Sequence, residues 1–274
     1  MNLEDHLGDI LRKGRLHAGV TLEATAQAAG LSPAALAALE ETGTLAERPN
    51  FAALARLLSL DAAKLERVAG GWLPNPTPTD PWRELRLIST TQQGYAVNNY
   101  LIWDEVTRDA ALFDTGFDAA PSIRLIEENQ LALRYLFITH GHGDHVAGLP
   151  QLRERFPKAR VRSGTAAAPP DQRNRANDCL QLGSLRVMNR ATPGHADDGV
   201  SYVIGNWPDD APHVIIVGDA LFAGSMGKAG GAAAQARQHI REQILSLPPT
   251  TLICPGHGPL TTVAQELANN PFFP

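Results

Sequence analysis

The stretch Thr139-His140-Gly141-His142-Gly143-Asp144-His145 decides the fold of this chain, because it places three imidazoles and one carboxylate within six residues. Residues 134–138, which precede it, form an apolar and aromatic run typical of a buried β-strand. Residues 146–156, which follow it, have helical spacing. The motif is therefore predicted to lie at the end of a strand in an α/β fold. Because imidazole nitrogens and carboxylate oxygens are ligands of Zn(II) and Fe(II), we predict a metal site there.

The composition indicates a globular chain with one large and one small domain. The chain has 274 residues, of which 43% are hydrophobic, and a net charge of −5. This charge predicts no general attraction to nucleic acid or to an anionic membrane, and no apolar run reaches the length of a membrane span. The N-terminus lacks a basic-then-apolar signal pattern, and Cys179 and Cys254 do not suggest a disulfide framework. We therefore expect a cytoplasmic protein.

An apolar strand followed by a glycine-bearing loop occurs four times in the second part of the chain. The predicted strands are residues 134–138, 184–190, 213–217 and 251–254, and the loops are 139–145, 192–195, 218–219 and 255–259. Five of the nine histidines fall on these loops. A single Pro-Gly-His or Gly-Asp turn is weak evidence, but four such loops together favour a shared metal site.

These loops resemble those of the metallo-β-lactamase fold superfamily over about 190 residues. The resemblance implies an α/β fold, an αβ/βα sandwich, preceded here by a small all-α domain. It also implies two divalent metal ions, most often Zn, with Fe or Mn as alternatives. By position, one ion would have His140, His142 and His195 as ligands, the other Asp144, His145 and His257, with Asp219 between the two. Asp144 would also orient the attacking water, and Asp114 would brace the histidine loop.

Within that superfamily, the sequence is most similar to the glyoxalase II-like branch. The segments Gly218-Asp219-Ala220-Leu221-Phe222 and Pro255-Gly256-His257-Gly258-Pro259 carry this similarity. It implies a thioesterase of hydroxyacylglutathione-hydrolase type, in which Lys228 would bind the thiol carrier. Ala229-Gly230-Gly231 lacks the aromatic residue that assists glutathione binding in the family, which puts the carrier in doubt. Residues 223–234, rich in Gly and Ala, are expected to be mobile.

The first part of the chain predicts a separate helical domain. Residues 1–71 have leucines at helical spacing, residues 72–81 form a Pro-rich linker, and residues 82–274 form the metallo-β-lactamase-like domain. Residues 11–15, 21–32, 39–40 and 54–58 resemble the helix-turn-helix domain of the Cro/C1 (XRE-like) family, whose second helix enters the DNA major groove. Here that helix, residues 33–40, lacks Arg, Lys, Asn and Gln. Residues 1–71 contain seven Lys/Arg and nine Asp/Glu, so packing, dimerisation or covering the substrate is favoured over DNA binding.

Two other functions remain open on sequence grounds. Persulfide dioxygenases share the fold and bind one Fe(II) at the positions of His140, His195 and Asp219, a site with open positions for O₂. Alternatively, the helix-turn-helix and the metal-hydrolase-like domain would together form a DNA-binding regulator that senses a ligand. A homodimer is compatible with either interpretation, and the acyl group and thiol carrier are not encoded in recognisable motifs.

Overall fold

An all-helical unit precedes two β-sheets in the computed structural model, which describes residues 2–175 and 178–274. Local sequence explains where its helices begin. The Thr21 hydroxyl accepts a hydrogen bond from the Ala24 amide, and Ser32 does the same for Ala35, with Pro33 in the first turn. The helices are α1 Leu7–Ala18, α2 Leu22–Ala29, α3 Pro33–Thr42, α4 Phe51–Leu58 and α5 Ala62–Ala69.

The strands of the second part divide between two main sheets and one hairpin. They are β1 Leu85–Gln92, β2 Tyr95–Trp103, β3 Asp109–Phe113, β4 Ala132–Phe137, β5 Arg160–Arg162, β6 Cys179–Leu182, β7 Leu185–Ala191, β8 Val200–Gly205, β9 Val214–Gly218, β10 Leu221–Phe222, β11 Ser225–Met226, β12 Leu252–Pro255 and β13 Thr261–Thr262. The first sheet has the order β1-β2-β3-β4-β5, with β3, β4 and β5 parallel. The second has the order β13-β12-β9-β8-β7-β6, with β9 and β12 parallel, and β10 pairs with β11.

Alternate residues of each strand point to opposite faces, and this creates three apolar layers. Between the sheets, Phe113 stacks on Phe137 with ring centroids 4.9 Å apart, and Tyr202 meets Phe113 edge-on at 5.6 Å. The outer face of the first sheet packs on two helices, and that of the second sheet packs on a third helix and on the helical unit. The predicted αβ/βα sandwich preceded by helices is thus confirmed.

The helices of this part flank the strands, and one of them begins later than predicted. They are α6 Ala120–Glu128, α7 Gly143–Val146, α8 Leu149–Arg155, α9 Ala233–Gln243 and α10 Val263–Asn269, with 3₁₀ turns at Pro208–Asp210 and Gly230–Ala232. The helix predicted over residues 146–156 is present as α8, but it begins three residues later, because α7 ends at Val146 and residues 147–148 separate the two helices. Pro150 stands in the first turn of α8, where it starts a helix more readily than it continues one. None of the described helices has the length and apolar character needed to cross a bilayer.

Candidate metal centre

The predicted ligands lie at one edge of the sandwich, because each follows the carboxyl end of a strand. The histidine motif follows β4, and its Asp144 and His145 fall in the first turn of α7. His195 follows β7, Asp219 follows β9 directly, and His257 follows β12. Since β7, β9 and β12 run in the same direction, their loops emerge on the same side.

A first cluster consists of His140, His142, His195 and Asp219, whose ligating atoms all lie within 4.8 Å of one another. His142 Nδ1 is 3.0 Å from His140 Nε2 and 3.0 Å from His195 Nε2. Asp219 Oδ2 lies 3.5 Å from His195 Nε2 and 3.9 Å from His140 Nε2. Two nitrogens bound tetrahedrally to one Zn(II) at about 2.0–2.1 Å would be roughly 3.3 Å apart, so these spacings suit a bound ion.

A second cluster, of Asp144, His145 and His257, adjoins the first through Asp219. Asp144 Oδ2 is 3.2 Å from His257 Nε2 and 3.6 Å from His145 Nε2. Asp219 Oδ1 is 3.3 Å from His145 Nε2, and Asp219 Oδ2 is 3.5 Å from His257 Nε2. The structure therefore brings all seven predicted ligands together, with the Asp219 carboxylate in contact with both clusters.

Hydrogen bonds behind the histidines fix which ring nitrogen is free to bind a metal. Asp114 Oδ2 lies 2.8 Å from His145 Nδ1, and the Ala96 carbonyl lies 2.6 Å from His257 Nδ1. Thr139 Oγ1 donates to Asp114 Oδ2 at 2.7 Å and is 3.1 Å from His140 Nδ1, which leaves its oxygen to accept the ring proton. In these three rings the proton on Nδ1 is hydrogen-bonded, so Nε2 presents its lone pair to the cluster.

The shifted pKa values indicate that the carboxylates of the site favour a positive charge beside them. Burial lowers the pKa of His140 to about 4 and lowers that of His195 as well. Burial also opposes protonation of His145 and His257, but Asp114 raises the pKa of His145 well above its ordinary value and Asp219 raises that of His257 to about 9. Burial would raise the pKa of Asp219, yet the two histidines hold it well below its ordinary value. A divalent cation supplies the same positive charge.

Two further observations support a bound ion. His145 Nε2 and Asp219 Oδ1 are buried without a hydrogen-bond partner, which is costly unless another group satisfies them. A Cβ on Gly256 would lie 2.3 Å from Asp219 Oδ1 and 2.6 Å from His145 Cε1, so only glycine leaves these ligand atoms room. The donor set and its surroundings thus fit divalent metal ions, while the choice of metal is not fixed by nitrogen and oxygen ligands alone.

A cleft of roughly 900 Å³ opens over the second cluster. Its floor includes Asp144, Asp219 and His257, and the exposed Lys228 lies on its wall. Residues 2–5 and Lys13 of the helical unit complete another wall. The expectation of a mobile loop is wrong for residues 223–226, which are buried beneath the helices instead of exposed to solvent.

Sequence reasoning missed several residues that shape the site. Thr139 belongs to the motif, but its role between Asp114 and His140 depends on side-chain geometry. Gly227 and Gly256 also went unassigned, although a Cβ on Gly227 would lie 2.0 Å from the Asp219 carbonyl oxygen. Glycines next to predicted ligands were the available signal. The contribution of residues 2–5 had no signal in the sequence beyond the order of the domains.

Comparison with known proteins assigns the family. The model of the metallo-beta-lactamase superfamily matches residues 93–257. The chain belongs to the metallo-beta-lactamase superfamily. This match leaves the helical unit outside.

Relatives within the metallo-beta-lactamase superfamily have different activities. Hydroxyacylglutathione hydrolase GloC of Haemophilus influenzae is 30% identical over 201 residues, which cover 64% of this chain and 92% of that protein. The mitochondrial persulfide dioxygenase ETHE1 of Homo sapiens is 32% identical over 181 residues, covering 63% and 69%. The crystal structure of the BLEG-1 B3 metallo-beta-lactamase superposes with a TM-score of 0.60 at 28% identity, covering 69% of this chain and 99% of that one.

Proposed function

We propose that this chain is a metal-dependent hydrolase of thioesters, of hydroxyacylglutathione-hydrolase type. The observation that carries the proposal is the position of Asp219, whose carboxylate oxygens lie 3.3–3.9 Å from histidine nitrogens of both clusters. A side chain in this position suits a site for two ions, and two-metal sites are common in enzymes that hydrolyse their substrates. The relative from Haemophilus influenzae, named a hydroxyacylglutathione hydrolase, supports the thioester class.

The side chains of the site have different roles in the proposed hydrolysis. Divalent ions, when bound, lower the pKa of a coordinated water toward about 7 and stabilise negative charge that develops on an acyl oxygen. Asp144 is a quarter exposed at the floor of the cleft, so its carboxylate is placed to accept a proton from the attacking water and to orient it. The rings of His140, His145 and His257 are held in position by hydrogen bonds to Thr139, Asp114 and the Ala96 carbonyl, respectively.

Other nucleophiles are less suited to this reaction. Cys254 is buried, and burial raises the pKa of its thiol, which keeps it protonated. Cys179 is exposed but does not line the cleft. Water activated at the metal centre therefore remains the nucleophile that the geometry favours.

Lys228 is the proposed contact for the thiol carrier. It is exposed at the cleft, nine residues beyond Asp219, where its ammonium can meet a carboxylate of the carrier. The adjacent Ala229-Gly230-Gly231 offers no aromatic side chain, so the carrier need not be glutathione.

A persulfide dioxygenase activity is the second candidate, because the human relative with that name is as similar as the hydrolase relative. That enzyme class needs one Fe(II) with two histidines and one carboxylate, and His140, His195 and Asp219 offer such a set. Under this alternative the second cluster would remain free of metal during turnover.

The two candidates differ in metal content and in substrate. Purified full-length protein should be analysed for metals, then assayed with a panel of thioesters and lactones and, separately, for O₂ uptake with a persulfide. We expect two metal ions per chain and thioester hydrolysis without O₂ uptake. One Fe per chain with O₂ uptake and no thioester turnover would replace the proposal with the second candidate.

A further inference from the structure

The helical unit is packed against the metallo-beta-lactamase domain over a continuous apolar core. Leu7, Ile10 and Leu65 of the unit belong to the same buried cluster as Met226 and Ile240. The Lys64 ammonium donates to the carbonyl of Leu267 at 2.7 Å, and the Asp61 amide donates to that of Pro271 at 2.9 Å. Buried apolar contacts and hydrogen bonds of this kind hold the unit in one position.

The start of the chain enters the cleft from this docked unit. Asp5 is 6% exposed, accepts a hydrogen bond from the Ser225 hydroxyl and pairs with Lys13. Lys13 also donates to the Met226 carbonyl at 2.9 Å. The pair therefore fixes residues 2–5, the N-terminal arm, to the β10–β11 hairpin that follows Asp219. Both charges are compensated within this contact.

Glu4, one residue earlier, lines the same cleft as the predicted ligands Asp144, Asp219 and His257. A Cβ on Gly258 would lie 3.0 Å from the Glu4 backbone nitrogen, so the arm crosses the loop that carries His257. The Glu4 side chain lines the cleft and is exposed to it. Burial raises the pKa of this carboxyl, and the nearby His257 acts in the opposite direction.

The charges around the cleft make Glu4 different from its neighbours. Within residues 2–175 and 178–274, no lysine or arginine forms an ion pair with Glu4, whereas Asp5 has Lys13. The remaining acidic groups of the cleft, Asp144 and Asp219, belong to the proposed metal centre. A substrate in the cleft therefore meets a carboxylate that is supplied by the helical unit and that is free to bind a donor.

We infer that Glu4 is a specificity-determining residue, which binds a cationic or hydrogen-bond-donating group on the thiol side of the substrate. This inference rests on the proposed function, because it concerns the substrate of the same cleft. It assigns the helical unit a part in substrate selection.

Two pairs of isosteric probes isolate the charge. Thiocholine and 3,3-dimethylbutane-1-thiol have the same shape but differ in one positive charge, and their acetyl thioesters form a second pair. Calorimetry would measure the dissociation constants of the two thiols with Zn(II)-loaded full-length protein, for the wild type, Glu4→Gln, Glu4→Lys and the control Glu41→Gln. Glu41 is exposed on α3 and does not line the cleft.

The ratio of the two dissociation constants is the decisive quantity, because the contribution of the metal–sulfur bond cancels when variants are compared. Glu4→Gln should reduce the preference for thiocholine about fivefold, as expected for a solvent-exposed ion pair, and Glu4→Lys should reduce it further. Glu41→Gln should keep the wild-type ratio, and metal content should be equal in all four proteins. A Glu4→Gln ratio equal to that of the wild type would overturn the inference.

Turnover of the thioesters separates this inference from the proposed function. If the wild type hydrolyses acetylthiocholine, Glu4→Gln should raise its KM relative to the neutral thioester and leave kcat unchanged. If the wild type hydrolyses no thioester of either pair or of the wider panel, the proposed function fails. The thiol dissociation constants, which need no turnover, would still decide the role of Glu4.

Discussion

Replacing Asp114 with asparagine should weaken metal binding at the second cluster without changing any predicted ligand. Asp114 is 2% exposed, and its two oxygens accept three hydrogen bonds: from the Thr139 amide at 2.8 Å, from the Thr139 hydroxyl at 2.7 Å and from His145 Nδ1 at 2.8 Å. An amide of the same shape accepts at one position and donates at the other. With its oxygen on the Thr139 amide, its NH₂ group would face His145 Nδ1.

That change would move the proton of His145 to the wrong nitrogen. Nδ1 would have to accept, so the ring proton would move to Nε2, the atom 3.3 Å from Asp219 Oδ1. Loss of such a supporting hydrogen bond typically costs about 10–100-fold in metal affinity, or roughly 1.4–2.8 kcal/mol. We expect the Zn(II) dissociation constant of the second cluster to rise by that factor in Asp114→Asn.

Competition with a chromophoric chelator would measure both dissociation constants. Asp109→Asn is the matched control, because it removes a carboxylate from the other end of β3, where Asp109 pairs with the exposed Arg134. The control should bind metal like the wild type. If Asp114→Asn retained both wild-type constants within twofold, the argument that Asp114 fixes the tautomer of His145 would be wrong.

Four further results are expected. Asp219→Ala should lose bound metal and turnover together, and full activity in this variant would contradict its place between the clusters. Burial lowers the pKa of the half-buried His17 to about 4, so the unfolded chain takes up a proton at a higher pH than the folded chain and stability is lost as pH falls from 6.5 to about 4. The Tm of His17→Gln should therefore depend less on pH over this range, and slopes identical to those of the wild type would argue against it. A thiol reagent should modify Cys179 in the native protein and Cys254 only after unfolding, whereas two fast-reacting thiols would contradict the burial of Cys254. Because α3 exposes Ala34, Ala37 and Ala38, a gel-shift assay at low salt should show no sequence-selective DNA binding, and a tight selective shift would favour the regulator interpretation.

The ligand loops could be predicted from sequence because each combines a local strand pattern with metal-binding residue types. The apolar runs before His140, Asp219 and His257 became β4, β9 and β12 with small shifts at their ends. Strands that share a direction present their loops at one edge, so the convergence of these side chains followed from the fold class. The αβ/βα sandwich, which the structure confirms, could be predicted for the same reason.

Elements with weak local patterns were missed. The three-residue strand β5 and the two-residue strands β10, β11 and β13 are too short to show an alternating pattern, and they form because neighbouring strands offer hydrogen bonds. The loop expected to be mobile was misjudged because its Gly-rich and Ala-rich composition says nothing about the helices that cover it.

The position of the helical unit depends on contacts between residues far apart in the chain. Asp5 and Ser225 are separated by 220 positions, and Lys64 and Phe273 by 209. Neither contact leaves a periodic signal in the sequence, so the placement of Glu4 at the cleft could not be predicted from local patterns. The domain order alone suggested that residues 1–71 cover the substrate. This covering role stays a prediction until Glu4 is tested.

Anomalous diffraction from crystals of the full-length protein, grown with Zn(II), would test the central claim most directly. The account predicts two peaks per chain, one among His140, His142 and His195 and one among Asp144, His145 and His257, both in contact with Asp219. A single peak at His140 and His195 under saturating metal, or none, would contradict a two-ion centre.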